Sequence, residues 1–231
     1  MTIDLNCDVG EGYDADDALL GLASSASVST GAYTRVGVAG ADLALERAVV
    51  LGVAVGMHPG YPDLEGFGRR RGFLAEPAAL ASELARQRDG FLERCARAGA
   101  TCAYLKPHGG LYHDAAHDPT VARALVRLAD ELGVPLLCRA LAGEARPAAG
   151  LAIEGFAERR YRPDGQLVAR GRPGALIDDP DVAAAQAVRL AASCDSLCVH
   201  GDSPGALAVA TRVRRALEGA GYAIAAFAPA P

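Results

Sequence analysis

Three of the five histidines follow short apolar runs of the chain. His58 ends VAVGMH, His108 ends AYLKPH and His200 ends LCVH. Apolar runs of this length, bounded by glycine and proline, are typical of buried strands. Imidazoles at the ends of such strands can converge in one cleft, and their chemistry near neutral pH suits them to proton transfer. The spacing therefore predicts a catalytic cleft built at strand ends.

Polar residues two positions apart mark three of these strand ends. Side chains at positions i and i+2 of an extended strand point to the same side. The pairs are Asn6 with Asp8, Lys106 with His108, and His200 with Asp202. Each pair joins groups that can set one another's protonation state before a proton transfer. Pro107 interrupts the middle pair, and we expect Lys106 to be partly desolvated, with its pKa lowered towards neutrality.

Charged residues in the loops after the strands are candidates for contact with a substrate. Glu11 closes NCDVGE, and Arg69 and Arg70 follow a glycine-rich loop after His58. Glu154 and Arg159 lie in IEGFAERRY, after another apolar run. Guanidinium groups suit carboxylates and phosphates because they offer forked donors. The same pattern is typical of a solvated rim of ion pairs, and the residues alone leave both interpretations open.

Strand-like and helix-like segments alternate along the chain. The predicted strands cover 3–7, 53–56, 103–106, 134–138, 151–153 and 196–199, and the predicted helices cover 42–51, 76–98, 119–132, 181–192 and 205–218. This alternation predicts a parallel sheet with crossover helices. We expect residues 1–231 to form one α/β domain, a closed (β/α) barrel, with an open doubly wound sheet as the alternative. In both architectures reactive groups belong at the carboxyl ends of the strands.

The amino-acid composition and net charge indicate which class of partner the protein binds. The 231 residues are 51% hydrophobic and 22% charged, with a formal net charge of −5, which favours a small-molecule partner over nucleic acid. No apolar run is long enough to cross a bilayer, so we expect no membrane partner. Six cysteines without a CxxC pair, and an amino terminus without the pattern of a secretory leader, predict reduced thiols in the cytoplasm.

Five motifs, in this order, closely resemble the LamB/YcsF family, known as the A subunit of bacterial 5-oxoprolinase. They are NCDVGE (6–11), HPGYPDLEGFGRR (58–70), LKPHGGLY (105–112), EGFAERRY with PDG (154–165) and LCVHGDSPGA (197–206). The resemblance covers nearly the whole chain. It implies a variant barrel of the glycoside hydrolase/deacetylase type with about seven parallel strands. It also implies ATP-dependent opening of 5-oxo-L-proline to L-glutamate with separate B and C subunits.

The resemblance and the strand-end argument together assign candidate roles. The predicted catalytic residues are Asp8, His58, Lys106, His108, His200 and Asp202. The predicted substrate-binding residues are Asn6, Glu11, Arg69, Arg70, Glu154 and Arg159. On this hypothesis Asp8 or His58 deprotonates water, Lys106 and His108 stabilise the developing anion or donate a proton, and His200 with Asp202 forms an oriented imidazole. ATP acts with the partner subunits.

The segment 27–42 departs from the family's second motif, which carries an asparagine, a cysteine and a histidine. Here Ser27 stands at the asparagine, Thr30 at the cysteine and Tyr33 or a neighbour at the histidine. If the family holds a divalent metal through Asp8, that histidine and His58, this chain has lost a ligand. A catalytic metal usually needs three protein ligands. We therefore assign no metal ligand and expect weak metal binding or none.

Two other function classes stay open at this stage. One is a metal-dependent, deacetylase-like hydrolase that acts alone. The other is a repurposed or non-catalytic family member in a biosynthetic pathway, which the altered segment 27–42 favours. All three classes share the predicted barrel.

Overall fold

Seven parallel strands close into a barrel in the computed structural model, which describes residues 1–228. The strands are β1 (Thr2–Val9), β2 (Ser25–Ser29), β3 (Ala54–His58), β4 (Cys102–Leu105), β5 (Leu136–Cys138), β6 (Leu151–Phe156) and β7 (Ser196–Val199). They follow one another around the barrel, and β1 closes it by pairing with both β7 and β2. A short eighth strand, β8 (Ala223–Ile224), pairs with the start of β1. The predicted fold class is confirmed.

Helices cover the outside of the barrel. They are α1 (Asp16–Leu20), α2 (Gly37–Leu51), α3 (Pro77–Ala98), α4 (Gly109–Ala115), α5 (Pro119–Leu132), α6 (Pro180–Leu190) and α7 (Ala206–Gly219). Three of them, α3, α5 and α6, begin with an acidic cap followed by proline, and each cap accepts a backbone N–H of the first turn. None of the helices between residues 1 and 228 combines the length and apolar character needed to cross a bilayer.

Strand β2 was missing from the sequence prediction because its polar residues face the barrel interior. Ser25 donates a hydrogen bond to Asp4 at 2.8 Å, and Ser27 lies 3.1 Å from the hydroxyl of Tyr104. The alternate residue Val28 belongs to the apolar core that the helices cover. A strand of alternating serines suggests a solvated surface, whereas here the polar face is the inner one.

The amino end of the barrel is closed. The ring of Tyr104 lies inside the barrel over Gly56, where a Cβ atom would approach it to 2.3 Å. Phe227, which follows β8, packs on the same ring with the centroids 5.2 Å apart. Aromatic rings therefore fill the amino end of the barrel interior, whereas the candidate residues lie towards the carboxyl ends of the strands.

Candidate active site

Lys106 lies at the centre of a buried charged cluster. Its Nζ donates to Asp8 Oδ1 at 2.7 Å and to Asn6 Oδ1 at 3.0 Å, and lies 2.7 Å from Glu154 Oε1. Burial alone would lower the pKa of Lys106, but Asp8 and Glu154 raise it well above its usual value. This is opposite to the fall expected from the sequence, which did not reveal the two carboxylates. Lys106 is therefore a buried cation that donates to Asp8, Asn6 and Cys198 Sγ and forms an ion pair with Glu154.

Asn6 and Glu154, both predicted to bind substrate, hold this lysine in the structure. The amide nitrogen of Asn6 donates to Ser196 Oγ at 2.7 Å and to Glu154 Oε1 at 3.3 Å. Asn6 thus has its oxygen and its nitrogen bonded within the barrel. Glu154 Oε2 is buried without a hydrogen-bond partner among the described residues, so Glu154 keeps one acceptor for a ligand.

Asp8 links the lysine to two histidines. Its Oδ2 lies 3.4 Å from His58 Nε2 and 3.6 Å from His200 Nε2. Burial alone would raise the pKa of Asp8, but His58 and Lys106 hold it well below its usual value. Asp8 is therefore an ionised carboxylate at the meeting point of three basic side chains. Asp8 and Asn6 both reach Lys106, as the i, i+2 spacing on β1 predicts.

His58 and His108 face one another beside Glu11. The distance from His58 Nε2 to His108 Nδ1 is 3.2 Å, and Glu11 Oε1 lies 3.1 Å from His108 Nδ1 and 3.7 Å from His58 Nε2. Tyr33, at the altered second motif, donates its hydroxyl to Glu11 Oε1 at 3.2 Å and stacks on the His108 ring at 3.9 Å between centroids. Tyr33 thus occupies the cluster itself, which the sequence did not reveal.

His200 is oriented by Glu158 and not by Asp202. Glu158 Oε1 accepts a hydrogen bond from His200 Nδ1, and the ring of Phe156 stacks on the imidazole at 5.7 Å between centroids. The predicted His200 and Asp202 pair is wrong because β7 ends at Val199, so the i, i+2 rule no longer applies to residues 200 and 202. Glu158 lies in EGFAERRY, but only its position in the fold reveals its role.

Asp202 instead holds two loops together at the rim. It accepts hydrogen bonds from both Nη atoms of Arg170, and from Arg69 Nη2 at 3.1 Å. The Arg69 guanidinium lies 5.0 Å from the centroid of the Phe67 ring. Side chains of His200 and Asp202 keep 13% of their surface exposed, so solvent reaches the cluster from this side.

The predicted substrate-binding arginines have different environments. Arg70 donates Nε and Nη2 to Asp63, and its side chain is half exposed. Arg159 is buried and donates Nη2 to Val168 O at 2.8 Å. The Nε atoms of Arg159 and Arg170 are buried without a hydrogen-bond partner among residues 1–228. Arg159 and Arg170 thus each keep one buried Nε–H group without a partner, whereas Nε and Nη2 of Arg70 are bound to Asp63.

A sequence model of the LamB/YcsF family matches residues 3–230. A curated relative from Neisseria meningitidis serogroup C (strain 053442), named as the A subunit of 5-oxoprolinase, is 38% identical over 244 residues, covering 97% of this chain and 99% of the relative. The crystal structure of a lactam utilization protein from Thermus thermophilus is 34% identical, with a TM-score of 0.83, and the match covers 98% of this chain and 100% of that one.

A more distant solved structure supports the barrel type. A family 4 carbohydrate esterase from Streptomyces lividans, in complex with acetate, matches with a TM-score of 0.57 at 14% identity, over 96% of this chain and 91% of the esterase. At this identity the likeness shows the fold alone. It agrees with the predicted deacetylase-like barrel.

Proposed function

Because the chain belongs to the LamB/YcsF family, we propose that it is the A subunit of an ATP-dependent 5-oxoprolinase, which opens the lactam of 5-oxo-L-proline to L-glutamate with separate B and C subunits. The observation that carries the chemistry is an ionised Asp8 in one buried cluster with Lys106, His58 and His200. The proposal places the protein in the cytoplasm, in keeping with its six free cysteines.

Hydrolysis of a lactam makes three demands on a site. The site must activate water, stabilise negative charge on the carbonyl oxygen and protonate the nitrogen that leaves. The reaction is slow without help because the amide is unactivated. ATP, which acts with the partner subunits in this proposal, would supply activation of the lactam oxygen.

Asp8 is the proposed acceptor of the water proton. It is ionised, and the neighbouring His58 and His200 lie within 3.6 Å of its Oδ2. His200, whose Nδ1 is held by Glu158, is the proposed donor to the leaving nitrogen. Its Nε2 lies 3.6 Å from Asp8 Oδ2, so the proton that Asp8 takes from water passes to Nε2 and replaces the one donated to the nitrogen. The N–H groups of Lys106 are all engaged, so Lys106 does not bind the substrate directly. Its role is to keep Asp8 and Glu154 ionised by its positive charge.

Arg159 and Arg170 are the proposed anchors of the substrate carboxylate. Burial and the nearby Arg170 lower the pKa of Arg159, which indicates that its charge is only partly compensated. A carboxylate bound to the two free Nε–H groups would satisfy both donors and balance the charge. Asp202 already accepts hydrogen bonds from Arg69 and Arg170. The substrate carboxylate would either replace Asp202 on Arg170 or bind beside it.

Reconstitution tests the proposed function directly. The purified chain is mixed with B and C subunits that are active with their own A subunit, and glutamate release is measured with 5-oxoproline and ATP. We expect release that requires ATP together with all three subunits. The Arg159→Gln and Arg170→Gln variants should raise KM for 5-oxoproline more than they lower kcat, with Arg162→Gln, an exposed arginine outside the cluster, as the matched control.

Two results would contradict the proposal. One is the absence of glutamate release with partners proven active in the same buffer. The other is release of acetate from acetylated substrates by this chain alone, which would support the deacetylase-like alternative instead.

A further inference from the structure

We propose that Glu11, His58 and His108 form a binding site for one divalent transition metal ion, with Zn²⁺ as the best-fitting ion. This metal site goes beyond the proposed function, which assigns no residue to a metal ion. The three side chains come from the loop after β1, the end of β3 and the start of α4. Their donor atoms all lie within 4.8 Å of one another.

The ring nitrogens that the two histidines turn towards each other are the ones not bonded to backbone carbonyls. His58 Nδ1 lies 2.7 Å from Lys106 O, and His108 Nε2 lies 2.9 Å from Phe67 O. A carbonyl oxygen only accepts, so each of these nitrogens carries the ring proton. In the neutral rings the opposite nitrogens, His58 Nε2 and His108 Nδ1, then present lone pairs at 3.2 Å. Two lone pairs at this distance repel one another unless a proton or a metal cation lies between them.

The distances agree with metal coordination. Tetrahedral ligands with Zn–N and Zn–O bonds of about 2.0–2.1 Å are separated from one another by about 3.3–3.4 Å. The separations here are 3.1, 3.2 and 3.7 Å. Two imidazoles and one glutamate are also a known ligand set for catalytic zinc. Asp8 Oδ2, 3.4 Å from His58 Nε2, lies at the edge of the same space.

The groups around the donors hold them in this arrangement. Metal-bound histidines usually donate their other ring N–H to a carbonyl or carboxylate, which fixes the ring and the tautomer. Both histidines do so here. Tyr33 donates its hydroxyl to Glu11 Oε1 and stacks on His108. Tyr33 therefore orients two ligands without being one, and its presence at the altered second motif is compatible with a metal site.

A second group of donors fits a cation less well. Asp8, Cys198 and His200 also lie close together. However, Lys106 Nζ donates to Asp8 Oδ1 at 2.7 Å and lies 3.3 Å from Cys198 Sγ. A metal ion bound there would lie next to the positive charge of Lys106, which already contacts two of the three ligands, Asp8 and Cys198. Weak metal binding was expected from the sequence because only Asp8 and His58 were considered as ligands. The structure places two further donors, His108 and Glu11, next to His58.

Metal titration of the tag-free, chelator-stripped chain tests the site without any assay of activity. Isothermal titration calorimetry with ZnCl₂ should give one ion per chain, and Co²⁺ substitution should give the visible bands of a four- or five-coordinate nitrogen and oxygen site. His58→Ala and His108→Ala should each weaken binding by more than about 100-fold, because loss of an outer partner alone costs about 10–100-fold. Tyr33→Phe should weaken it by about tenfold.

The controls separate this site from its alternatives. His117→Ala removes an exposed histidine outside the cluster and should leave zinc affinity unchanged. Circular dichroism checks that each variant folds. Absence of zinc binding by the folded wild-type chain would overturn the proposal in favour of a shared proton. Binding lost in His200→Ala but retained in His108→Ala would overturn it in favour of the second group. Failure of the 5-oxoprolinase assay with zinc binding intact would contradict the proposed function only.

Discussion

The two ends of the barrel interior each hold a buried aspartate, and their surroundings shift the pKa of that aspartate in opposite directions. Asp4 and Asp8 lie on β1, and both are buried. Around Asp4 the partners are hydroxyl groups: Ser24 donates to Oδ1 at 2.6 Å, and Ser25 and Ser196 donate to Oδ2. Around Asp8 the partners are Lys106, His58 and His200.

The partners decide the protonation state of each carboxyl group. Burial raises the pKa of Asp4, and the three hydroxyl hydrogen bonds offset only part of the increase. Burial also acts on Asp8, but the cations reverse the shift and hold its pKa well below the usual value. The closed amino end is therefore a hydrogen-bonded structural layer, whereas the open carboxyl end holds separated charges that can serve proton transfer.

The largest effect is expected from Lys106→Met. The substitution leaves Asp8 and Glu154 as buried carboxylates without their cation, and breaking a buried ion pair in this way costs about 3–5 kcal/mol. Urea unfolding should show a loss of this order in the free energy of unfolding. The double variant Lys106→Met with Glu154→Gln should recover part of the loss. A single variant as stable as the wild type would mean that the cluster is not held by the lysine.

Asp8→Asn should remove activity while changing stability less than Lys106→Met does. The amide keeps the size of the side chain but cannot accept the water proton, and loss of a general base lowers turnover by about 10²–10⁴-fold. Glutamate release by the reconstituted complex measures the effect. Asp4→Asn, at the other end of the same strand, is the matched control and should keep its turnover. Equal losses in the two variants would remove the functional difference between the barrel ends.

Gly56→Ala tests the boundary between the two ends. A Cβ at this position would lie 2.3 Å from the ring of Tyr104, which closes the barrel above Phe227. We expect destabilisation of about 1–3 kcal/mol, as for other overpacked cores. Thermal unfolding monitored by circular dichroism measures it. Gly171→Ala, on a loop where the added Cβ meets no atom within 4 Å, is the control. Equal melting temperatures would show that Tyr104 does not fill the barrel.

The sequence predicted the elements whose signals are local. The predicted helices 76–98 and 119–132 agree within one residue with α3 (Pro77–Ala98) and α5 (Pro119–Leu132), which have local start and stop signals: an acidic cap, a proline and a terminal glycine. The strand-end rule also brought Asp8, His58, Lys106, His108 and His200 into one cluster, which is the feature that the proposed function needs. These signals depend on neighbours in the chain and not on the rest of the fold.

The remaining parts of the site depend on contacts between distant segments. Strand β2 was missed because its serines point inwards to Asp4 and Tyr104, a direction that only the closed barrel defines. Glu158 and Arg170 lie in a long irregular loop, and no spacing rule connects them to His200 or Asp202. The direction of the Lys106 pKa shift was predicted wrongly for the same reason, since its carboxylate partners lie about 50 to 100 residues away.

The smallest expected effect is a difference in the pH dependence of stability between Asp4→Asn and the wild type. The folded-state pKa of Asp4 is raised, so its contribution to stability is complete below its unfolded pKa of about 3.9 and is lost as pH rises through the folded value. Asparagine does not titrate. The free energy of unfolding of the variant, relative to the wild type, should therefore improve as pH rises from about 4 to about 8. Urea unfolding across this range measures the trend, with Asp14→Asn as an exposed control. A trend of the opposite sign would mean that Asp4 is ionised like Asp8, and that cations alone do not distinguish the two ends of the barrel.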